Sequence, residues 1–181
     1  MLLVTTNTIA NVSGVETEGV GVYWDSECNN PTTLIDWETL TPGSAKSVVV
    51  YIQNEVDESR FLYISTKDWD PENAFNYLSL RWKYTGQRID PGDVLQTTLT
   101  LYVSRYIEGI SSFSFLILVT GSDRLLGDVD GDGIVNIFDV KKVKLALAGC
   151  IVEPGADIDG DGKVTTFDLK KVKVILAGYV L

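Results

Sequence analysis

The feature that most constrains this chain is a pair of twelve-residue segments toward its C-terminal end, residues 128–139 and 157–168. In each segment three aspartates alternate with other residues, and a glycine, Gly133 or Gly162, follows the third aspartate. The spacing D-x-D-x-D-G places alternate carboxylates on the inside of a tight loop, where they supply oxygens to a hard cation. The glycine stands where the chain turns through dihedral angles that a side chain resists. The two segments therefore predict two calcium sites.

The predicted ligands occupy loop positions 1, 3, 5, 7, 9 and 12. Position 7 contributes only its backbone carbonyl, and position 9 holds a side chain that can bind through a water. Position 12 is an aspartate instead of the usual glutamate, which leaves Mg²⁺ as an alternative ion. A solvated acidic turn without metal is a further alternative, although two copies in one register argue against it. The predicted ligands are Asp128, Asp130, Asp132, Ile134, Asn136 and Asp139 in the first loop, and Asp157, Asp159, Asp161, Lys163, Thr165 and Asp168 in the second.

Each loop is predicted to lead into a helix without being preceded by one. The helices run from about Phe138 to Ala148 and from about Phe167 to Ala177, and a glycine follows each of them. The residues before the first loop are typical of a strand end and a turn. Residues 150–156, before the second loop, are too few and too rich in Pro and Gly for a helix. The two units are therefore near copies of one loop followed by one helix.

This tandem unit resembles a dockerin, a family whose members bind two calcium ions and dock onto a cohesin domain. The resemblance covers about the last third of the chain. It implies a cohesin-like partner and contacts at loop positions 10 and 11 and along the following helices. The better-known residues at positions 10 and 11 are small and hydroxylated, so this sequence predicts no particular cohesin type. The implied contact residues are Ile137, Phe138, Lys141, Lys144, Thr166, Phe167, Lys170 and Lys173.

These contact residues have alternative interpretations that involve no partner. Phe138 and Phe167 are equally consistent with rings that pack inward between the two repeats. The lysines are consistent with a solvated helix face, or with contacts at the rim of an acidic partner.

The preceding part of the chain has the patterning of a β-sheet protein. Several short runs alternate apolar and polar residues, for example at Leu78, Leu80 and Trp82, and turns containing Pro or Gly separate the runs. This predicts an immunoglobulin-like antiparallel β-sandwich, similar to modules of extracellular, notably archaeal, surface proteins. A likeness of this kind implies no activity. The predicted fold is mainly β, with a sandwich at residues 1–121 and a small α-helical, dockerin-like calcium-binding domain at residues 122–181.

Catalysis is not predicted for this chain. It contains no histidine, so the usual general base, the usual zinc ligand and a Ser-His-Asp arrangement are all absent. Carboxylates that could act as a pair on glycosides are better explained as solubilising strand ends. They are Asp25, Glu27, Asp36 and Glu38.

Charge and hydropathy restrict the partners and the location. The formal net charge is -10, which disfavours nucleic acid and anionic membranes as partners. The chain lacks an apolar stretch of about 18 residues, the length typical of a membrane span, and a secretory signal with a basic start. We expect a soluble, mature or trimmed protein, located outside cells or on the cell surface, where calcium is plentiful.

Two functional hypotheses follow, with a third as a minor alternative. In the first, the chain is an adaptor whose dockerin-like domain docks onto a partner. In the second, copies assemble into a surface layer, fibre or tube, with the apolar residues 2–9 completing a neighbour's sheet. In the third, Trp37 or Trp69 stacks on a carbohydrate, although packing in the core or at its edge is favoured for both.

Two smaller features remain open at this stage. Asn11 begins a triplet that is a possible acceptor for glycosylation. Cys28 and Cys150 either form a disulfide across the domain boundary or remain buried thiols.

Overall fold

A computed structural model describes residues 9–83, 88–151, 154–158 and 162–177. In this part the protein consists of eight strands, two α-helices and two short 3-10 helices, at Glu72–Asn76 and Pro154–Ala156. The strands are β1 (Ile9–Glu18), β2 (Val20–Tyr23), β3 (Leu34–Leu40), β4 (Ala45–Asn54), β5 (Phe61–Asp70), β6 (Leu78–Trp82), β7 (Val94–Val103) and β8 (Ser112–Ser122), and the helices are α1 (Ile137–Leu147) and α2 (Thr166–Leu176). The prediction of a mainly β fold with a small helical part at the C-terminal end is confirmed.

The eight strands form two four-stranded sheets. One sheet has the order β3-β1-β8-β5 and the other has the order β2-β4-β7-β6. All the described strand pairs are antiparallel except β1 and β8, which run parallel. A parallel pair needs a long connection, and here the connection comprises most of the sandwich. The fully antiparallel arrangement expected from the sequence is corrected at this pair.

The strand-exchange hypothesis depends on residues 2–9, of which only Ile9 lies in the described part. Ile9 begins β1 and is the register partner of Leu40 in β3 of the same chain. From Ile9 onward, β1 is therefore an inner strand of its own sheet.

The core of the sandwich lies between the two sheets, and both tryptophans that were considered for sugar binding pack in it or against it. Trp37 is fully buried, and its indole N–H donates a hydrogen bond to Ser13 Oγ at 3.0 Å. The ring of Trp69 packs against the core and stacks on Phe115, with 4.1 Å between the ring centroids. Core packing is confirmed for Trp37, and the sugar-stacking alternative for it is wrong. Trp69 is partly buried at the edge of the core, in agreement with the expected core or edge packing.

Asn11 is a buried structural residue, so its interpretation as a glycosylation acceptor is wrong. Its side chain is 3% exposed, which leaves the amide nitrogen inaccessible to a modifying enzyme. The side-chain oxygen accepts the backbone N–H of Phe113 in β8 at 3.2 Å. The side-chain nitrogen donates to the carbonyl of Glu38 in β3 at 3.5 Å, beside a bulge in the β1–β3 pairing. Asn11 thus bridges both neighbours of β1.

Replacing Asn11 with alanine is expected to lower the free energy of unfolding of the sandwich by about 1–3 kcal/mol, because the buried N–H of Phe113 loses its acceptor. Urea unfolding followed by tryptophan fluorescence measures the change. Asn29→Ala is the matched control, because Asn29 is an exposed asparagine in the loop between β2 and β3. Equal stability of the two variants would contradict this role for Asn11.

A second, separate core lies in the helical part. It is formed by residues that recur at equivalent positions of the two repeats, so each repeat covers the apolar surface of the other. Its buried members are Val129, Val140, Val143, Ala156, Ile158 and Val172. The helices begin and end within one residue of the predicted bounds, and Gly149, after α1, has the positive φ of +68° typical of a helix end.

The two cysteines are both free thiols in the described structure. Cys150 is exposed and Cys28 is partly exposed. Both predicted alternatives, a disulfide and a pair of buried thiols, are therefore wrong.

Candidate metal centre

The first loop brings three of its predicted ligands together. Asp128, Asp130 and Asp139 each contribute a carboxylate oxygen, and these oxygens all lie within 4.8 Å of one another. Calcium–oxygen distances are about 2.3–2.6 Å, so two oxygens on one ion are at most about 5 Å apart. The donor set and its spacing therefore fit a hard divalent cation.

Asp139, at position 12, closes the loop. Its carboxylate is fully buried and accepts hydrogen bonds from both ends of the loop. Oδ1 accepts the N–H of Val129 at 2.7 Å and of Asp130 at 3.4 Å, and Oδ2 accepts the N–H of Asn136 at 2.7 Å. These bonds hold the carboxylate in one orientation beside Asp128 and Asp130.

Asp128, at position 1, shapes the turn of the loop. Its Oδ1 accepts the backbone N–H of Gly131 at 2.9 Å and of Asp132 at 3.1 Å, and its Oδ2 accepts that of Gly133 at 2.9 Å. Gly133 has a φ of +85°, a backbone conformation that residues with a side chain rarely adopt. The glycine expected at position 6 therefore has the expected conformation.

The other predicted ligands of the first loop lie outside this carboxylate cluster. Asp132 is exposed, and its Oδ1 accepts the N–H of Ile134 at 2.9 Å. Asn136 was predicted to hold a bridging water, but its side-chain oxygen accepts the N–H of Phe138 at 2.7 Å and caps α1. Asp139 is the third residue of the helix and completes a capping box with Asn136.

This capping role was missed in the sequence, although its signal was present. A capping residue followed three positions later by an acidic residue occurs in both loops, as Asn136 with Asp139 and as Thr165 with Asp168. Position 12 therefore has two roles, since the same aspartate closes the ion loop and caps the helix. A capping role at this position is consistent with the shorter aspartate in place of glutamate.

The second loop repeats this geometry where the structure describes it. Asp168 is fully buried and accepts the N–H of Ile158 and of Thr165, each at 2.7 Å. Asp157 Oδ2 accepts the N–H of Gly162 at 2.8 Å. Lys163, at position 7, is exposed, in agreement with a position that supplies only its carbonyl. The predicted ligands Asp159 and Asp161 lie outside the described residues.

Two calcium-type loops, each closed by a buried aspartate, are each followed by a single helix. Residues 126–177 match the dockerin type I domain. The match begins just before the first loop and ends just after α2, and it confirms the resemblance found in the sequence. It covers less than a third of the chain and leaves the sandwich outside it. No curated protein matches the chain.

The dockerin match supports several coarse statements about function. A dockerin domain is a non-catalytic module that mediates protein–protein docking, and such domains are generally calcium-binding. Dockerin domains bind cohesin domains, and proteins that contain them are typically extracellular or on the cell surface. None of the helices in the described ranges is long and apolar enough to cross a membrane.

Desolvation and neighbouring carboxylates both act on Asp130 in the first dockerin loop. Desolvation raises the pKa of Asp130 above its usual value, and the neighbouring carboxylates of Asp132 and Asp139 raise it further. Like charges at this distance oppose the loop conformation unless a cation lies between them. A divalent ion would remove this repulsion.

The residues expected to contact a partner are exposed on the dockerin segment. Phe138 and Phe167, in the first turns of α1 and α2, are 63% and 68% exposed, so the inward-packing alternative is wrong. Exposed aromatic rings often mark interaction surfaces, so these two rings are candidate contacts with a partner. The other exposed members of the expected set are Ile137, Lys141, Lys144, Thr166, Lys170 and Lys173.

Two of the four carboxylates considered for glycoside chemistry, Asp25 and Glu38, have structural partners. Asp25 accepts the backbone N–H groups of Asn29 and Asn30 at 3.1 and 2.8 Å, and so shapes the loop after β2. Glu38 forms an ion pair with Lys46 at 3.0 Å. These contacts agree with the structural interpretation of these residues.

Proposed function

We propose that this chain is a non-catalytic extracellular assembly protein whose dockerin segment, loaded with two calcium ions, docks onto a cohesin-type domain of another protein. The observation on which this rests is the dockerin match at residues 126–177, which coincides with the two loops and their helices. We further propose a division into domains at residues 1–121 and 122–181. The two separate hydrophobic cores support this division.

The proposed calcium ligands are those expected from the sequence. The cluster of Asp128, Asp130 and Asp139 supports the first site. Equivalent hydrogen bonds at Asp157 and Asp168 support the second. When bound, the ions supply the positive charge that holds these carboxylates together.

Calcium also changes the charge that the dockerin segment presents to a partner. Residues 122–181 contain eight Lys and Arg and ten Asp and Glu, so their formal charge is -2. Two Ca²⁺ ions would change it to +2, while the negative charge of the sandwich would stay the same. The exposed lysines of both helices, with Phe138 and Phe167 beside them in sequence, favour a partner surface that combines an apolar patch with an acidic rim.

Docking through the two exposed phenylalanines is tested by the double variant Phe138→Ala/Phe167→Ala. The probe is a panel of purified cohesin domains of different types, measured by surface plasmon resonance with calcium and with EGTA. We expect at least one domain to bind in calcium only, and the double variant to bind it about tenfold or more weakly, because exposed aromatic anchors dominate many interfaces. Both single variants are included, since the repeats present equivalent rings.

Tyr106→Ala is the matched control, because Tyr106 is an exposed aromatic residue of the sandwich. It should bind the same cohesin as the parent protein does. Calcium titrations of the double variant should also match the parent, which separates a lost contact from a lost fold. Unchanged cohesin binding by the double variant would contradict the proposed contact residues, and binding that survives EGTA would contradict calcium-dependent docking.

A further inference from the structure

The two sheets of the sandwich differ sharply in charge. The strands of the sheet β2-β4-β7-β6 contain no Asp or Glu in the described structure, and their charged residues are Lys46 and Arg81. The strands of the other sheet contain six acidic residues, Glu16, Glu18, Asp36, Glu38, Asp68 and Asp70. In a protein with a net charge of -10, an extended surface without carboxylates is an unusual feature.

The outer face of this carboxylate-free sheet carries mainly hydroxyl, amide and aromatic side chains, together with Arg81 and two small apolar residues. Val50, Ile52, Leu99 and Leu101 point into the core, so the alternating residues of β4 and β7 point outward. Register partners on neighbouring strands point to the same side of the sheet. Strand β6 adds a third residue to two of the outward rows. The outward rows are Tyr51 with Gln96, Val49 with Thr98, Ser47 with Thr100 and Arg81, and Ala45 with Tyr102 and Ser79.

A groove of about 330 Å³ lies at one end of this face, beside the 3-10 helix Glu72–Asn76. None of its lining residues within the described structure is charged, and two of its aromatic rings are open to solvent. Phe75 is 55% exposed and Tyr102 is 40% exposed. The guanidinium of Arg81 lies 4.9 Å from the centroid of the Tyr102 ring and helps to hold that ring in place. The polar groups of the lining are supplied by Asn76, Ser79 and Ser104.

The walls of the groove are held by the backbone and by the core. Ala74 is fully buried and anchors the 3-10 helix that presents Phe75. The N–H of Tyr77 donates to the carbonyl of Ala74 at 2.9 Å, and the N–H of Ser104 donates to the carbonyl of Tyr77 at 2.7 Å. A ligand would therefore enter a preformed groove, which lowers the entropic cost of binding.

We infer that this groove binds a neutral carbohydrate. A sugar ring has an apolar C–H face, which packs on an aromatic ring, and an edge of hydroxyls, which needs neutral donors and acceptors. Phe75 and Tyr102 supply the rings, and Asn76, Ser79 and Ser104 supply the hydrogen-bonding groups. None of the groove-lining residues that the structure describes is charged, so neither an anionic nor a cationic polysaccharide would find a complementary charge in the lining.

The test uses the full chain in calcium and affinity gel electrophoresis with soluble neutral glucan, xylan, mannan and galactan, together with sedimentation onto insoluble cellulose and chitin. We expect at least one of these polysaccharides to bind. Phe75→Ala and Tyr102→Ala should each weaken that binding about tenfold or more, whereas Tyr102→Phe should retain most of it. The inference would be overturned if the protein bound none of these polysaccharides. It would also be overturned if both alanine variants bound as tightly as the parent protein.

Two controls separate this site from the dockerin segment. Phe138→Ala changes an exposed ring on the dockerin segment, and it should leave carbohydrate binding unchanged. EGTA should also leave it unchanged, because the described lining of the groove contains no carboxylate that would hold a calcium ion. The competing occupant is a second copy of the chain: if Tyr102→Ala altered the sedimentation coefficient but not carbohydrate binding, the face would be a protein interface and the inference would be wrong.

Discussion

Removal of calcium with EGTA is expected to unfold the dockerin segment and to leave the β-sandwich folded. Three carboxylates of the first loop lie within 4.8 Å of one another, and without an ion their repulsion opposes the loop. The core beneath the loops has only six buried apolar residues among those described, too few to hold a small module together by themselves.

The size of the effect follows from mass action. A site with a micromolar dissociation constant is stabilised by about 4 kcal/mol in millimolar calcium. Two such sites would supply free energy comparable to the whole stability of a small domain, about 5–15 kcal/mol. Loss of both ions is therefore expected to shift the segment from mostly folded to mostly unfolded.

Far-UV circular dichroism measures the loss of the two helices, and hydrogen exchange locates it in the chain. The amides of β4 and β7 are the internal control and should remain protected in EGTA. Restoring calcium should restore the helical signal, whereas an equal concentration of Mg²⁺ should not, because Mg²⁺ favours fewer carboxylates and more water. A helical signal that does not change on chelation would count against calcium-dependent folding.

Asp139→Ala is expected to be among the most damaging single substitutions in the dockerin segment. It deprives the buried N–H of Val129 and the partly buried N–H groups of Asp130 and Asn136 of their acceptor. An unsatisfied buried group costs about 1–3 kcal/mol and the partly buried groups add less, so a loss of roughly 3 kcal/mol is expected. The substitution also removes a negative ligand from the first ion site.

Calorimetric titration should show the calcium stoichiometry falling from two to one, and urea unfolding in saturating calcium should show the loss of stability. Asp139→Asn is the matched variant, since it keeps the size and one carbonyl oxygen but lacks the charge. It should retain more stability than Asp139→Ala while still losing affinity at this site. Asp123→Ala, at an exposed residue outside both loops, should behave like the parent. Two ions bound by Asp139→Ala with parental affinity would refute the role assigned to Asp139.

In the dockerin segment, the bounds of the helices were predictable from the local sequence, whereas the direction of the aromatic rings was not. The helices were predicted to within one residue because their signals, a loop glycine, an apolar stripe and a terminal glycine, act over a few residues. The direction of the Phe138 and Phe167 rings was not predictable in this way. Whether a ring at the first helical turn points inward depends on how α1 and α2 pack, and the small valines Val143 and Val172 fill that interface instead.

In the sandwich, strand existence was predictable and strand partnership was not. The alternation at Leu78, Leu80 and Trp82 indicated β6, but nothing in the pattern indicated that β1 would lie parallel to β8. Asn11 shows the consequence, because its side-chain oxygen accepts the N–H of Phe113, which is 102 positions away in the sequence. The groove at Phe75 and Tyr102 likewise exists only because a 3-10 helix is packed beside the β6–β7 pair.

The sequence by itself therefore determined the two calcium-type loops, their helices, the dockerin resemblance and the mainly β class. All of these depend on residue spacings within about a dozen positions, where chain geometry alone places the side chains. Only the tertiary structure decided that Asn11 and Trp37 are internal, that Phe138 and Phe167 face solvent, and that one sheet presents an uncharged groove. Those outcomes depend on which distant strands and helices become neighbours, and burial is a property of the assembled neighbours and not of the local pattern.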